Sequence, residues 1–245
     1  MLYLVGLGVW NEKDISLRGI EIAKRADRVY CELYTAYWGG NLQKLERIIG
    51  KKIKKLERKD VEEGSDRLLQ EAGEKDVVLL VPGDPLVATT HMHLILEAKK
   101  RGIATEIVHS SSIYTTIART GLQIYKFGRT ATIITPAKGY ESEGFYNVVK
   151  ENLSKGLHTL LLLDRDMSTK KALEILTGIE KRKKKKVLKH AVLCSKLGSK
   201  YEKIVYGKIT DLLGIDLPPP AVIIIPGRLH FLEKEFLEMF MQTQK

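Results

Sequence analysis

Short apolar runs alternate with amphipathic stretches along the first half of the chain. Residues 2–5 read as a buried strand, 77–81 as a central strand in a continuous apolar run with β-branched residues, and 28–31, 53–56 and 107–108 as further short strands. Between them, apolar residues recur at helical spacing. Leu17, Ile20 and residues 22–26 follow a Ser16 cap, and Leu42, Leu45, Ile48 and Ile49 follow an Asn41 cap. Residues 66–72 read as a helix ending at Gly73, and Leu94, Ile95 and Ala98 as one ending at Gly102. This rhythm predicts βαβ units and a mainly parallel sheet.

The second half has a different rhythm. Residues 131–134, 159–163, 191–194, 204–206 and 221–225 read as strands, with helices near 143–155, 168–181 and 232–241. The closer strand spacing predicts antiparallel pairing. A boundary falls between residues 115 and 128, giving an N-terminal α/β domain at 1–115 and a C-terminal α/β domain at 116–245.

Composition supports a folded core: 44% of the 245 residues are hydrophobic and 29% charged. The longest apolar runs, 77–81 and 221–225, are far too short to span a bilayer, and the N-terminus lacks a basic leader. A soluble cytoplasmic protein is expected. Cys31 and Cys194 have no partner at metal spacing and read as buried thiols. The net charge is +11, and the run Lys181-Arg182-Lys183-Lys184-Lys185-Lys186 carries about half of it. Such a run is either a solvated helix end or a steering patch for an acidic partner. It contains no interleaved aromatics, so direct nucleic-acid binding is not expected.

Ligands of open parallel sheets bind at the carboxyl ends of strands. Three turns fall there: Gly6-Leu7-Gly8, Pro82-Gly83-Asp84-Pro85 and Ser110-Ser111-Ser112. The first is not a dinucleotide fingerprint, because Asn11 stands where the third glycine belongs. Asp84 either meets a ligand or bonds its own turn backbone. The segment from Tyr30 through Glu32 and Tyr34 to Trp38 is either a binding wall or a core edge. His91-Met92-His93 opens a helix, where alternate histidines diverge, so no metal is expected. Neither G-x-S-x-G nor a P-loop occurs.

Several of these segments together resemble one family. Val5-Gly6-Leu7-Gly8 with Asp14-Ile15-Ser16, Glu32-Leu33-Tyr34-Thr35, and the string from Pro82 to His91 (PGDPLVATTH) are similar to diphthine synthases of the tetrapyrrole-methylase superfamily. So are Ser112-Ile113-Tyr114, the string from Gly121 to Gly128 (GLQIYKFG), Gly156-Leu157-His158-Thr159-Leu160 and Pro226-Gly227-Arg228-Leu229-His230. The resemblance implies a two-domain tetrapyrrole-methylase-like α/β fold: a mainly parallel sheet first, a mixed sheet second. It implies a homodimer that holds S-adenosylmethionine between the domains and releases S-adenosylhomocysteine. The implied substrate is the 3-amino-3-carboxypropyl-histidine side chain of translation elongation factor 2, methylated repeatedly on its amine. By matching position, the cofactor would touch Val9, Asp84, Val87, Ser112, Ile113, Leu163, Leu197 and His230. Glu32 and His230 are the candidates for a general base, and neither is singled out. A small-molecule tetrapyrrole or corrin-precursor methylase is the alternative on the same fold.

Overall fold

The computed structural model describes residues 1–136 and 143–241. Two compact units divide the chain, Met1–Thr116 and Ile117–Lys245.

In the first unit the order is β1 (Leu2–Gly6), α1 (Leu17–Arg25), β2 (Arg28–Glu32), α2 (Leu42–Ile49), β3 (Ile53–Leu56), α3 (Asp66–Glu74), β4 (Val77–Val81), α4 (Met92–Lys100), β5 (Thr105–Val108) and α5 (Ile113–Thr116). The strands lie in the order β3-β2-β4-β1-β5, and every neighbouring pair is parallel. Both faces of the sheet are covered. Tyr3, Val5, Val78 and Leu80 pack with Ile22 and Ala23 of α1 and Leu45 and Ile49 of α2. Leu2, Leu4, Val77 and Leu79 pack on the other face with Leu68 and Leu69 of α3 and Leu94 and Ala98 of α4. Successive side chains leave a strand on opposite faces. A strand covered on both faces is therefore apolar at every position, which is why β1 and β4 read as continuous runs.

The expected caps form. Ser16 Oγ accepts from Gly19 N at 3.1 Å, and Asn41 Oδ1 accepts from Lys44 N at 3.1 Å. Two details differ from expectation. Helix α3 runs through Gly73 and ends only where Lys75 turns extended, its amide still bonded to Glu71 O. A single π-helical turn at Lys59–Glu63, closed by Gly64 N on Lys59 O at 2.7 Å, has no periodic signature in the sequence.

The second unit contains β6 (Ala131–Ile133), α6 (Gly144–Ser154), β7 (Thr159–Leu163), α7 (Thr169–Lys183), β8 (His190–Ser195), β9 (Lys203–Lys208), α8 (Ile209–Leu212), β10 (Ala221–Ile225) and α9 (Phe231–Glu238). Its sheet order is β6-β7-β10-β8-β9. The β6/β7 pair is parallel and the other three pairs are antiparallel, so the sheet is mixed as expected. Tyr146, Leu161, Leu173, Leu176, Leu193 and Ile223 are among the residues of its core.

The basic run begins on the last turn of α7 and is exposed throughout. Lys184 ends the helix in a left-handed conformation, φ 50°. Arg182 and Lys183 reach Glu143 at 3.7 and 2.5 Å. Both cysteines are buried and free. Among the described residues, no helix is long and apolar enough to cross a membrane.

Candidate active site

The carboxyl ends of β1, β4 and β5 gather the three turns. The turns after β1 and β4 are tied by a reciprocal pair of hydrogen bonds, Gly8 N to Gly83 O at 3.1 Å and Gly83 N to Gly8 O at 2.9 Å. Both glycines have positive φ, +78° and +70°. That conformation strains any residue with a Cβ. A Cβ placed on Gly83 would project into open space bounded by Ser112 Cβ at 4.0 Å. The backbone there is bare, leaving a cradle beside the serine turn.

Asp84 is 5% exposed. Its Oδ1 accepts from Leu86 N at 3.0 Å, so it does bond its own turn. Its Oδ2 also reaches across to the end of β5, accepting from Ser110 N at 3.1 Å and from His109 Nδ1 at 2.8 Å. A carboxylate offers about four acceptor positions, so one stays open after these three bonds. Val9 sits on the same edge, its amide donating to Ser111 Oγ at 3.2 Å. Ser112 is buried, and its carbonyl starts the short α5 that carries Ile113. Val87 follows in the Asp84 turn, its amide on Asp84 O at 3.2 Å. Thus Val9, Asp84, Val87, Ser112 and Ile113 share one edge of the first sheet.

In the second unit Leu163 ends β7, and Leu197 is buried in the turn after β8. The register pairs Val222 with Leu162 and Ala221 with Ser195, so Leu163 and Leu197 lie at the same end of their sheet. A cleft of about 480 Å³ opens beside Leu163, between Thr135, Asp164, Met167 and Lys171. His230 is placed differently. It follows the opposite end of β10 and caps α9, its Nδ1 accepting from Leu232 N at 3.4 Å. Its ring packs on Phe231 at 4.2 Å between centroids.

The other candidate base, Glu32, is fully buried. Its Oε2 accepts from Tyr34 N and Thr35 N at 2.9 and 3.1 Å, and its Oε1 accepts from Thr35 Oγ1. Burial pushes its carboxyl above the ordinary range. His91, also fully buried, faces it at 3.7 Å and turns its Nδ1 to Pro85 O at 3.3 Å. Burial holds the His91 imidazole below its ordinary pKa. Tyr30 and Trp38 of the aromatic segment are core residues, on opposite faces of the sheet. Tyr34 lies against His91, Tyr37 is exposed, and Glu32 closes its own turn. His93 bonds Thr90 O and Val61 O, away from His91. Among the described residues, no group of three or more His, Cys, Asp or Glu could hold a metal ion.

Sequence reasoning passed over His109. The signal was present: a histidine immediately beyond an apolar strand, at the edge where parallel sheets bind ligands.

A family model for Tetrapyrrole (Corrin/Porphyrin) Methylases matches residues 1–213. A diphthine synthase of Methanocaldococcus jannaschii is 46% identical over 256 residues, covering 99% of this chain and 100% of the relative. The chain belongs to the diphthine synthase family of the tetrapyrrole methylases. Membership makes the protein an S-adenosylmethionine-dependent methyltransferase. A diphthine synthase of Methanococcus aeolicus is 43% identical over 254 residues, covering 99% of each chain. A crystal structure of diphthine synthase is 40% identical, covers 98% of this chain and 95% of its own, and superposes with a TM-score of 0.90. Methyl transfer suits a site built of turns and apolar side chains, because it needs no nucleophile from the protein.

Proposed function

We propose that this methyltransferase modifies the 3-amino-3-carboxypropyl-histidine of translation elongation factor 2, methylating its amine repeatedly to diphthine in the cytoplasm. The end-to-end similarity to diphthine synthases carries this reading. The proposed cofactor contacts are Val9, Asp84, Val87, Ser112 and Ile113 in the first unit and Leu163, Leu197 and His230 in the second. The first five fit S-adenosylmethionine: a bare backbone cradle at Gly83, a carboxylate with one open acceptor position, and half-buried Val9, Val87 and Ile113 for apolar surface.

When bound, S-adenosylmethionine supplies a methyl group already activated by its sulfonium. What remains for the protein is placement, and orientation of this kind can account for roughly 7–11 kcal/mol of a barrier. The paired Gly8–Gly83 bonds and the Asp84 bridge between turns hold that edge fixed. The Asp84 charge favours a positive ligand over its neutral product. Asp84→Asn is expected to reduce the preference for S-adenosylmethionine over S-adenosylhomocysteine by roughly tenfold, about 1.4 kcal/mol. Calorimetric titration of both ligands measures it, and an unchanged ratio would remove the charge from the argument.

Lys184, Lys185 and Lys186 are exposed and would steer an acidic protein substrate. Changing the three to glutamine should slow modification several-fold at low salt and have little effect at about 1 M, where the screening length is about 3 Å. Equal rates at low salt would make the run a plain solvated face. Homodimerisation is supported by an apolar surface on and around α9, with Phe231 at 70%, Met239 at 74% and Tyr125 at 80% exposure.

The deciding experiment is incubation of the protein with S-adenosylmethionine and elongation factor 2 bearing the unmethylated side chain. Mass gains in methyl steps establish the substrate and count the methyls. Cofactor binding with no mass gain moves the substrate to the tetrapyrrole class.

A further inference from the structure

We infer that His109, oriented by Asp84, is the catalytic proton acceptor for the substrate amine. The inference rests on the amine-methylating function proposed above. His109 is the first residue beyond β5, and its side chain is 69% exposed at the edge that carries Val9, Asp84 and Ser112. Its Nδ1 lies 2.8 Å from Asp84 Oδ2. A carboxylate accepts, so Nδ1 carries the hydrogen and the lone pair stands on Nε2. Asp84 is itself fixed by Leu86 N and Ser110 N, which sets the direction of the ring. Nε2 has no partner among the described residues. The arrangement is a basic nitrogen aimed outward and a buried carboxylate behind it.

The two candidates named from sequence serve less well. Glu32 is fully buried with both oxygens engaged, and His230 spends its Nδ1 on the first turn of α9. Around His109, Asp84 is the charged side chain at ion-pair distance among the described residues. Asp14, in the adjoining turn, directs its Oδ2 to the amides of Trp10 and Asn11.

An alkylammonium has no lone pair and cannot accept a methyl. In the step assigned to His109, an N–H bond of the ammonium breaks, the proton bonds to Nε2, and the electron pair remains on the amine nitrogen. The imidazolium so formed keeps its Nδ1–H bond to the Asp84 carboxylate. It passes the proton to water before the next transfer, since each methylation of an N–H-bearing ammonium releases one proton.

The test has two arms. In the free protein, long-range proton–nitrogen correlation NMR should show His109 as the Nδ1–H tautomer, and Asp84→Asn should mix the tautomers. An Nε2–H tautomer in the unaltered protein overturns the proposal. In turnover, His109→Gln should lower kcat about 100-fold or more with cofactor affinity within about threefold. Glutamine can still donate to Asp84 but cannot take a proton, so a merely structural role would be rescued by it. Methylation by the unaltered protein that persists at full rate in His109→Gln overturns this proposal alone. No methylation by the unaltered protein overturns the functional reading and this step with it.

Discussion

Replacing Glu233 with alanine is expected to cost about 3–5 kcal/mol of stability, the range for removing one partner from a buried charged network. Glu233 is 1% exposed and gathers four donors. Its Oε1 accepts from Gln123 N at 2.9 Å and from His158 Nε2 at 3.0 Å; its Oε2 accepts from His230 N at 2.7 Å and from the Lys126 ammonium. Burial alone would raise its pKa, but these bonds outweigh burial and hold the carboxyl at about 2. His158 is neutral in this network. Its Nδ1 accepts from Gly227 N at 2.9 Å, so Nε2 carries the hydrogen given to Glu233, and burial lowers its pKa. Alanine would leave the Lys126 charge and two backbone amides without their acceptor. The folded pKa lies below the ordinary 4.5, so the contribution is complete above about pH 4.5 and fades as pH falls toward 2. Denaturant unfolding against pH checks both points. Glu233→Gln should flatten the acid limb of that curve; an unaltered limb would mean that other carboxylates set it.

The fold was legible because its signals are local. A strand buried on both faces is apolar at every position, and β1, β4 and β10 announce themselves so. Ser16, Asn41 and Ser168 mark helix starts because a side-chain oxygen must meet an otherwise unpaired amide within three residues. Where a signal was read too literally, packing prevailed: Gly73 sits inside α3, since the chain turns only at Lys75 to enter β4. The turns of the site were legible from their glycines, prolines and serines. What those turns do to each other was not. Asp84 and His109 lie 25 residues apart, and Gln123 and Glu233 lie 110 apart. No periodicity or spacing rule joins such pairs, because sheet order β4-β1-β5 brings the first together and the return of α9 brings the second. The bond that orients the His109 ring needs a carboxylate that only the folded chain brings to it.

The same dependence on contacts between turns makes Gly8→Ala the sharpest probe of the proposed cofactor site. At φ +78° an alanine is strained by about 1–2 kcal/mol. Its Cβ would also stand 2.3 Å from Asp14 Cβ and 2.8 Å from Asp14 O. Asp14 cannot yield freely, since its Oδ2 holds the amides of Trp10 and Asn11 at 2.8 and 3.0 Å. The displacement must therefore pass to Gly8 itself, and through its two bonds to Gly83 and the Asp84 turn. A stability loss of roughly 2–4 kcal/mol is expected from strain and overpacking combined, with at least a tenfold loss of S-adenosylmethionine affinity by calorimetry. Gly50→Ala separates the two effects. Gly50 has nearly the same φ, +74°, but nothing within 4 Å of an added Cβ. It should show the backbone strain in thermal unfolding and leave cofactor affinity unchanged. If Gly8→Ala binds the cofactor as tightly as Gly50→Ala does, the turn after β1 is a structural staple and does not shape the proposed cofactor site.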